Sequence, residues 1–191
     1  MNKLDSIAKK INNKIFSEET DYENLEGYLE KNGIDVRYIN SNVLDGYLRW
    51  DQKSRRPVIA VSVTGNVPAR RRFTMAHELG HLILDYHWIP GENNSKVEKS
   101  FKNKNILSVL AYRGKANYTS EERQKEARAN SFAASFLIPI DKIKNLIDDD
   151  LKKQKNSDEL ISDVVKEFHV SKETAIFRTK HVLEKYINHD K

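Results

Sequence analysis

Two histidines stand four residues apart, with a glutamate beside the first, in the run His77-Glu78-Leu79-Gly80-His81. On a helix, positions i and i+4 lie about 40° apart around the axis and one turn apart along it, so both imidazoles can face one ion. Glu78 projects to the side of that pair, where it can take a proton from water without occupying the metal itself. This is most of a zinc hydrolase site, in which the metal makes an attacking water acidic and polarises a peptide carbonyl. With 6 His and 15 Glu in 191 residues, the pentapeptide is expected by chance roughly 0.015 times. The competing reading is two ordinary histidines on a helix, so the context has to decide.

Such a site needs a third protein ligand and an open position. The chain has no cysteine, which removes thiolate ligands and disulfides and leaves His or a carboxylate. Glu126 is the best-placed carboxylate. It opens a face that continues through Ala129, Asn130, Ala133 and Leu137, and the small residues would let that helix pack close to the histidines. Asn130, one turn on, is suited to orienting a ligand. Glu122 is the rival carboxylate, and Glu126 itself could be an ordinary glutamate favoured by the helix dipole.

The elements that must position these residues can be read from spacing. Leu4, Ile7, Ala8, Ile11 and Ile15 predict a first helix. Thr20-x-x-Glu23 predicts a capping box for a second, stopping at Gly33. Three short strands are expected at 34–39, 46–50 and 58–63, and with no room for a crossover helix they suggest a small antiparallel three-stranded sheet. Pro68 suits the start of the histidine helix, expected over about 69–85. Gly80 inside that helix costs about 1 kcal/mol relative to Ala, which implies close approach by another backbone. Residues 86–118 read as a long surface excursion with one short helix near 106–112. Thr119-Ser120-Glu121-Glu122 forms another capping box, and the helix it opens is bounded by Pro139. A short helix after Asp141 and two more at about 158–168 and 172–188 complete an α+β chain. We therefore expect two parts, 1–140 with the chemistry and 141–191 as a helical, helix-turn-helix-like segment.

Charge and hydropathy bound the function. No apolar run approaches the roughly 20 residues of a membrane span, and the N-terminus lacks a secretory signal's apolar core. A cytoplasmic setting is the expectation. The net charge of +5 is concentrated at 49–72 (+6) and 96–128 (+5). It reads either as a solvated face or as attraction for an acidic partner. Residues 141–191 hold eleven basic and eleven acidic side chains, which disfavours direct DNA binding by the helix-turn-helix-like part. His169, His181 and His189 there lack ligand spacing.

Two long stretches carry a family resemblance: Arg71 to Leu84, reading RRFTMAHELGHLIL, and Glu126 to Pro139, reading EARANSFAASFLIP. In them, and in the N-terminal helix, the strands and the C-terminal Phe168-His169-Val170-Ser171 and Arg178, the chain resembles the ImmA/IrrE-type metallopeptidases. Phe136 and Ile138 replace the Leu and Met more usual there. The resemblance implies a zincin-like core with His77, His81 and Glu126 as ligands of Zn2+, or of another divalent metal, and Glu78 as catalytic acid/base. It also implies narrow endopeptidase activity on a helix-turn-helix repressor of prophage or mobile-element type. His87, Tyr112, Arg113 and Tyr118 are candidates for steadying the oxyanion. The alternative is a DNA-binding regulator whose metal site is structural or inactive.

Overall fold

The computed structural model describes residues 3–16, 21–65, 67–92, 108–111 and 118–187. Helix α1 (Lys3–Phe16) buries Ala8, Ile11, Ile15 and Phe16, the face its spacing predicts. A short 3-10 turn (Tyr22–Asn24) leads into α2 (Leu25–Lys31). The cap of that turn is Asp21, whose carboxylate accepts from the Glu23 and Asn24 N–H groups; Thr20 lies outside the described residues. Gly33 stops α2 as expected. At φ +85° it donates to Glu30 O while Ile34 donates to Leu29 O, and both apolar side chains are fully buried.

The strands are β1 (Asp35–Ile39), β2 (Leu44–Asp51), β3 (Arg56–Ser62) and β4 (Ser108–Ala111), in the order β1-β3-β2-β4. The α+β class stands, but the expected antiparallel three-stranded sheet does not. β1 pairs parallel with β3, Val36 opposite Ile59, while β2 is antiparallel to both β3 and β4. No crossover helix is needed, because β2 is itself the return path. Residues 40–43 have only to step over one strand, about 10 Å, from the end of β1 to the start of β2. The segment expected as a short helix near 106–112 holds β4 instead, which extends the sheet along β2. Gly46, the expected first residue of its strand, lies inside β2, which begins at Leu44. A Cβ there would sit 2.5 Å from the Thr74 methyl and 2.6 Å from Ala60 O, so its absence lets the histidine helix lie on the sheet.

That helix is α3 (Pro68–Leu84), with Pro68 in its first turn. It packs against α4 (Ser120–Leu137), which opens with the expected Thr119/Glu122 capping box. α5 (Ile140–Lys152), α6 (Ser157–Phe168) and α7 (Lys172–Val182) follow, and α7 ends in a π-helical turn, Leu183–Ile187. Asn156 caps α6 by accepting from Asp158 and Glu159 N–H, and His169 at φ +52° makes the turn into α7.

The C-terminal helices are tied to the rest by a buried ion pair. Arg178 on α7 is 1% exposed, lies 2.7 Å from the Asp5 carboxylate on α1, and donates through Nε to Ile138 O at 3.1 Å. Ser135 on α4 donates to the same Asp5 oxygen. Removing one partner leaves a charge buried without compensation, so Arg178→Ala should cost about 3 to 5 kcal/mol in urea unfolding. The double change Asp5→Leu with Arg178→Met should recover most of that loss. Equal loss in the single and double variants would contradict the pairing.

Candidate metal centre

α3 and α4 meet at the histidines because both are thin there. A Cβ on Gly80 would lie 3.3 Å from Ala129 Cα and 3.1 Å from the Phe132 ring, so only a residue without one permits this spacing undisturbed. The close approach inferred from Gly80 is present, and it is made by the Ala129 face. Across the contact, Glu126 meets both histidines. Its two oxygens lie 3.2 Å from His77 Nε2 and 3.1 Å from His81 Nε2, and the two Nε2 atoms are 3.1 Å apart. Their ligand atoms all lie within 4.8 Å of one another, which makes them a group able to hold a metal ion. Bonds of about 2.0 Å around a tetrahedral zinc would set donors about 3.3 Å apart, so the spacing and the His/His/carboxylate donor set fit that ion. Glu122 stays in its capping box, where its carboxylate accepts from Thr119 N–H at 2.7 Å.

The outer ring nitrogens are held as well. His77 Nδ1 faces Asn130 Oδ1 at 2.9 Å, the orienting contact expected of Asn130. His81 Nδ1 faces Asp85 Oδ2 at 2.8 Å, and Arg128 on α4 donates to the other Asp85 oxygen at 3.1 Å. Each Nδ1 turned to an oxygen leaves its Nε2 aimed at the common point. Asp85 and Arg128 went unnoticed in the sequence. The signal for Asp85 was present: it lies four residues beyond His81, as His81 does beyond His77.

His77 and Glu78 are fully buried and His81 is 3% exposed. Burial on its own would lower the His81 pKa. Hydrogen bonds to Asp85 and Glu126, with the Glu78 and Glu126 charges, outweigh it and raise the group to about 9. Burial likewise works against the Glu126 carboxylate, but the two histidines hold its pKa at about 2. Tyr86 is half-buried, and burial, followed by the Asp85 and Glu78 charges, raises its pKa, so a protonated phenol stands near Glu78.

The other singled-out residues lie elsewhere or outside the described residues. His87 is exposed, with φ +57°, in the turn that leaves α3. Tyr112, Arg113 and His189 are outside the described residues. Arg123 donates to Tyr118 O at 2.9 Å before α4. Much of the 49–72 basic stretch is spent within the fold: Arg70 pairs with Asp45 at 2.7 Å, Arg56 lies near Asp35, and Arg72 donates to His169 O.

The family model described as the IrrE N-terminal-like domain of peptidase M78 matches residues 29–180. The chain belongs to this family. Its domain is therefore metallopeptidase-like, in agreement with the resemblance carried by the two motifs. Among solved structures, a Mycobacterium tuberculosis transcriptional regulator is similar with a TM-score of 0.54 and 19% identity, over 92% of this chain and 46% of that one. The likeness is one of fold, and this chain spans just under half the length of that protein. No match is found among curated proteins. No helix among the described residues is long and apolar enough to cross a membrane.

Two outcomes follow from the charge arrangement. A metal must displace the His81 proton, so zinc affinity should fall about tenfold per pH unit as pH drops below about 9, with about one proton released per metal near neutrality. Calorimetry in buffers of different ionisation heat measures both; an affinity flat between pH 6 and 9 would contradict it. Asp85→Ala should weaken zinc binding by about 10- to 100-fold without unfolding the protein, and unchanged affinity would remove Asp85 from the centre.

Proposed function

We propose that this protein is a metal-dependent endopeptidase of narrow specificity, using zinc or another divalent ion, that acts in the cytoplasm on a helix-turn-helix repressor of prophage or mobile-element type. The observation that carries the reading is the convergence of His77, His81 and Glu126 beside the buried Glu78. When bound, the metal supplies a Lewis acid that acidifies water and polarises the scissile carbonyl. His77, His81 and Glu126 are the ligands in this reading. Asn130 and Asp85 fix the imidazole orientations, and Arg128 fixes Asp85. Glu78 accepts the proton of the attacking water and returns it to the leaving amine.

Membership of the peptidase family supports a protein substrate, and the repressor is what the resemblance of the two motifs implies. In this reading residues 1–140 perform the chemistry and residues 141–191 supply docking. The exposed face of α7 suits a protein partner: Ile176 and Phe177 are 45% and 48% exposed, and the surrounding Lys172, Glu173, Lys180 and Glu184 are of mixed sign. The alternative, a DNA-binding regulator with a structural or inactive metal site, draws on the α6-turn-α7 arrangement and on the regulator whose fold is similar. The zero net charge of 141–191 weighs against it, since phosphate contacts need an excess of Lys and Arg.

Glu78→Gln should keep the fold and the metal yet lower cleavage by at least about 100-fold, because the amide cannot take the proton. Intact-mass analysis of helix-turn-helix repressors incubated with parent and variant reads this directly. Undiminished cleavage would remove Glu78 from the mechanism, and salt-sensitive, sub-micromolar binding to duplex DNA without cleavage would favour the regulator.

A further inference from the structure

The far side of α4 borders a second concave site. From Glu126 to Ser131 is about 140° around the helix, so Ser131 and Ser135 turn away from the histidines. There a cleft of about 310 Å³ opens between α1, α4 and α7, with Leu4 and Phe177 as its apolar surface and Lys3, His181 and Lys185 around it. That volume is at the lower end of the range for small-molecule sites, about 300 to 1,000 Å³.

Among the described residues, the ionisable side chains that line the cleft, Lys3, Arg178, His181 and Lys185, are all basic. Asp5, the nearest acid on α1, is engaged by Arg178 and Ser135, and Glu184 lies toward Lys180. Among the described residues, Lys3 and Lys185 have no ion-pair partner. Burial, then the Lys185 and Arg178 charges, lower the His181 pKa, and Asp5 and Glu184 oppose this in part. An apolar surface bordered by Lys3 and Lys185, neither of them in an ion pair among the described residues, is complementary to a ligand with the opposite layout.

We propose that this cleft binds a small amphiphilic anion, with a carboxylate or phosphate head toward Lys3 and Lys185 and an aliphatic chain against Leu4 and Phe177. The ligand would bridge α1, α4 and α7, and so raise the unfolding temperature by mass action. This proposal does not depend on the peptidase reading.

The test is calorimetry and thermal unfolding of the full chain with octanoate and octyl phosphate, beside octan-1-ol and acetate as half-ligands. One amphiphile per chain is expected to bind, with each half-ligand at least about ten-fold weaker. The tighter of octanoate and octyl phosphate identifies the head group. Lys3→Ala and Lys185→Ala, both on exposed side chains, should each weaken the amphiphile about five-fold while leaving the unliganded melting temperature unchanged. Phe177→Ser should weaken the amphiphile and leave acetate unaffected. The proposal is overturned by unchanged binding in the Lys3→Ala/Lys185→Ala double variant, by octan-1-ol binding as tightly as octanoate, or by no saturable binding at millimolar concentrations. A concentration-dependent dimer that buries Phe177 would overturn it too, giving the cleft to a second copy of the chain.

Discussion

The distance between α3 and α4 is the constraint on which the remainder depends. It is set where Gly80 faces Ala129, with no room for a Cβ on the first without displacing its neighbours. The helix-propensity cost of that glycine, about 1 kcal/mol relative to Ala, is offset by what the approach permits. Glu126, Asn130 and Arg128 all reach from α4 to His77 and His81 on α3 or to Asp85 at its C-cap, and each contact would lengthen if the helices parted. Gly46 acts in the same way below, letting Thr74 rest on β2. Two missing side chains thus fix the height of α3 between the sheet and α4.

α4 is the shared wall of the molecule. One side carries the donor group, and another carries Ser135 to the buried Asp5–Arg178 pair, which fastens α7. Buried charge is compensated in both places. Around the histidines, Glu126 and Asp85 supply negative charge beside His81, whose proton a metal would displace; around Asp5, Arg178 and a hydroxyl satisfy a carboxylate that water does not reach. A shift of α4 would disturb both sets together, so the C-terminal helices and the candidate centre share a mechanical support.

Much of this was legible in the sequence where the information is local. Helical spacing predicted α1, α3 and α4, the Gly33 stop and the Thr119 cap depend on neighbours a few residues away, and the small-residue face of α4 pointed to Glu126 and Asn130. Non-local pairing was not legible. The parallel β1–β3 pair depends on which side of β3 the returning β2 takes, a choice that alternation within each strand does not encode. β4 is four residues long, too short for a period, and gains its place only by pairing with β2. Arg178 stood out only as part of the resemblance, and its buried pairing was not legible because its partner Asp5 lies at the other end of the chain. Asp85 was overlooked although its spacing was local.

In the proposed centre, His77, His81 and Glu126 together bind one metal ion. Anomalous diffraction at the zinc edge from crystals of the zinc-loaded protein tests it most directly. A single strong peak is expected about 2.0 to 2.2 Å from His77 Nε2, His81 Nε2 and a Glu126 oxygen, with Asn130 and Asp85 still on the outer ring nitrogens. A peak ligated by Glu122, or by residues away from the α3–α4 contact, would contradict it.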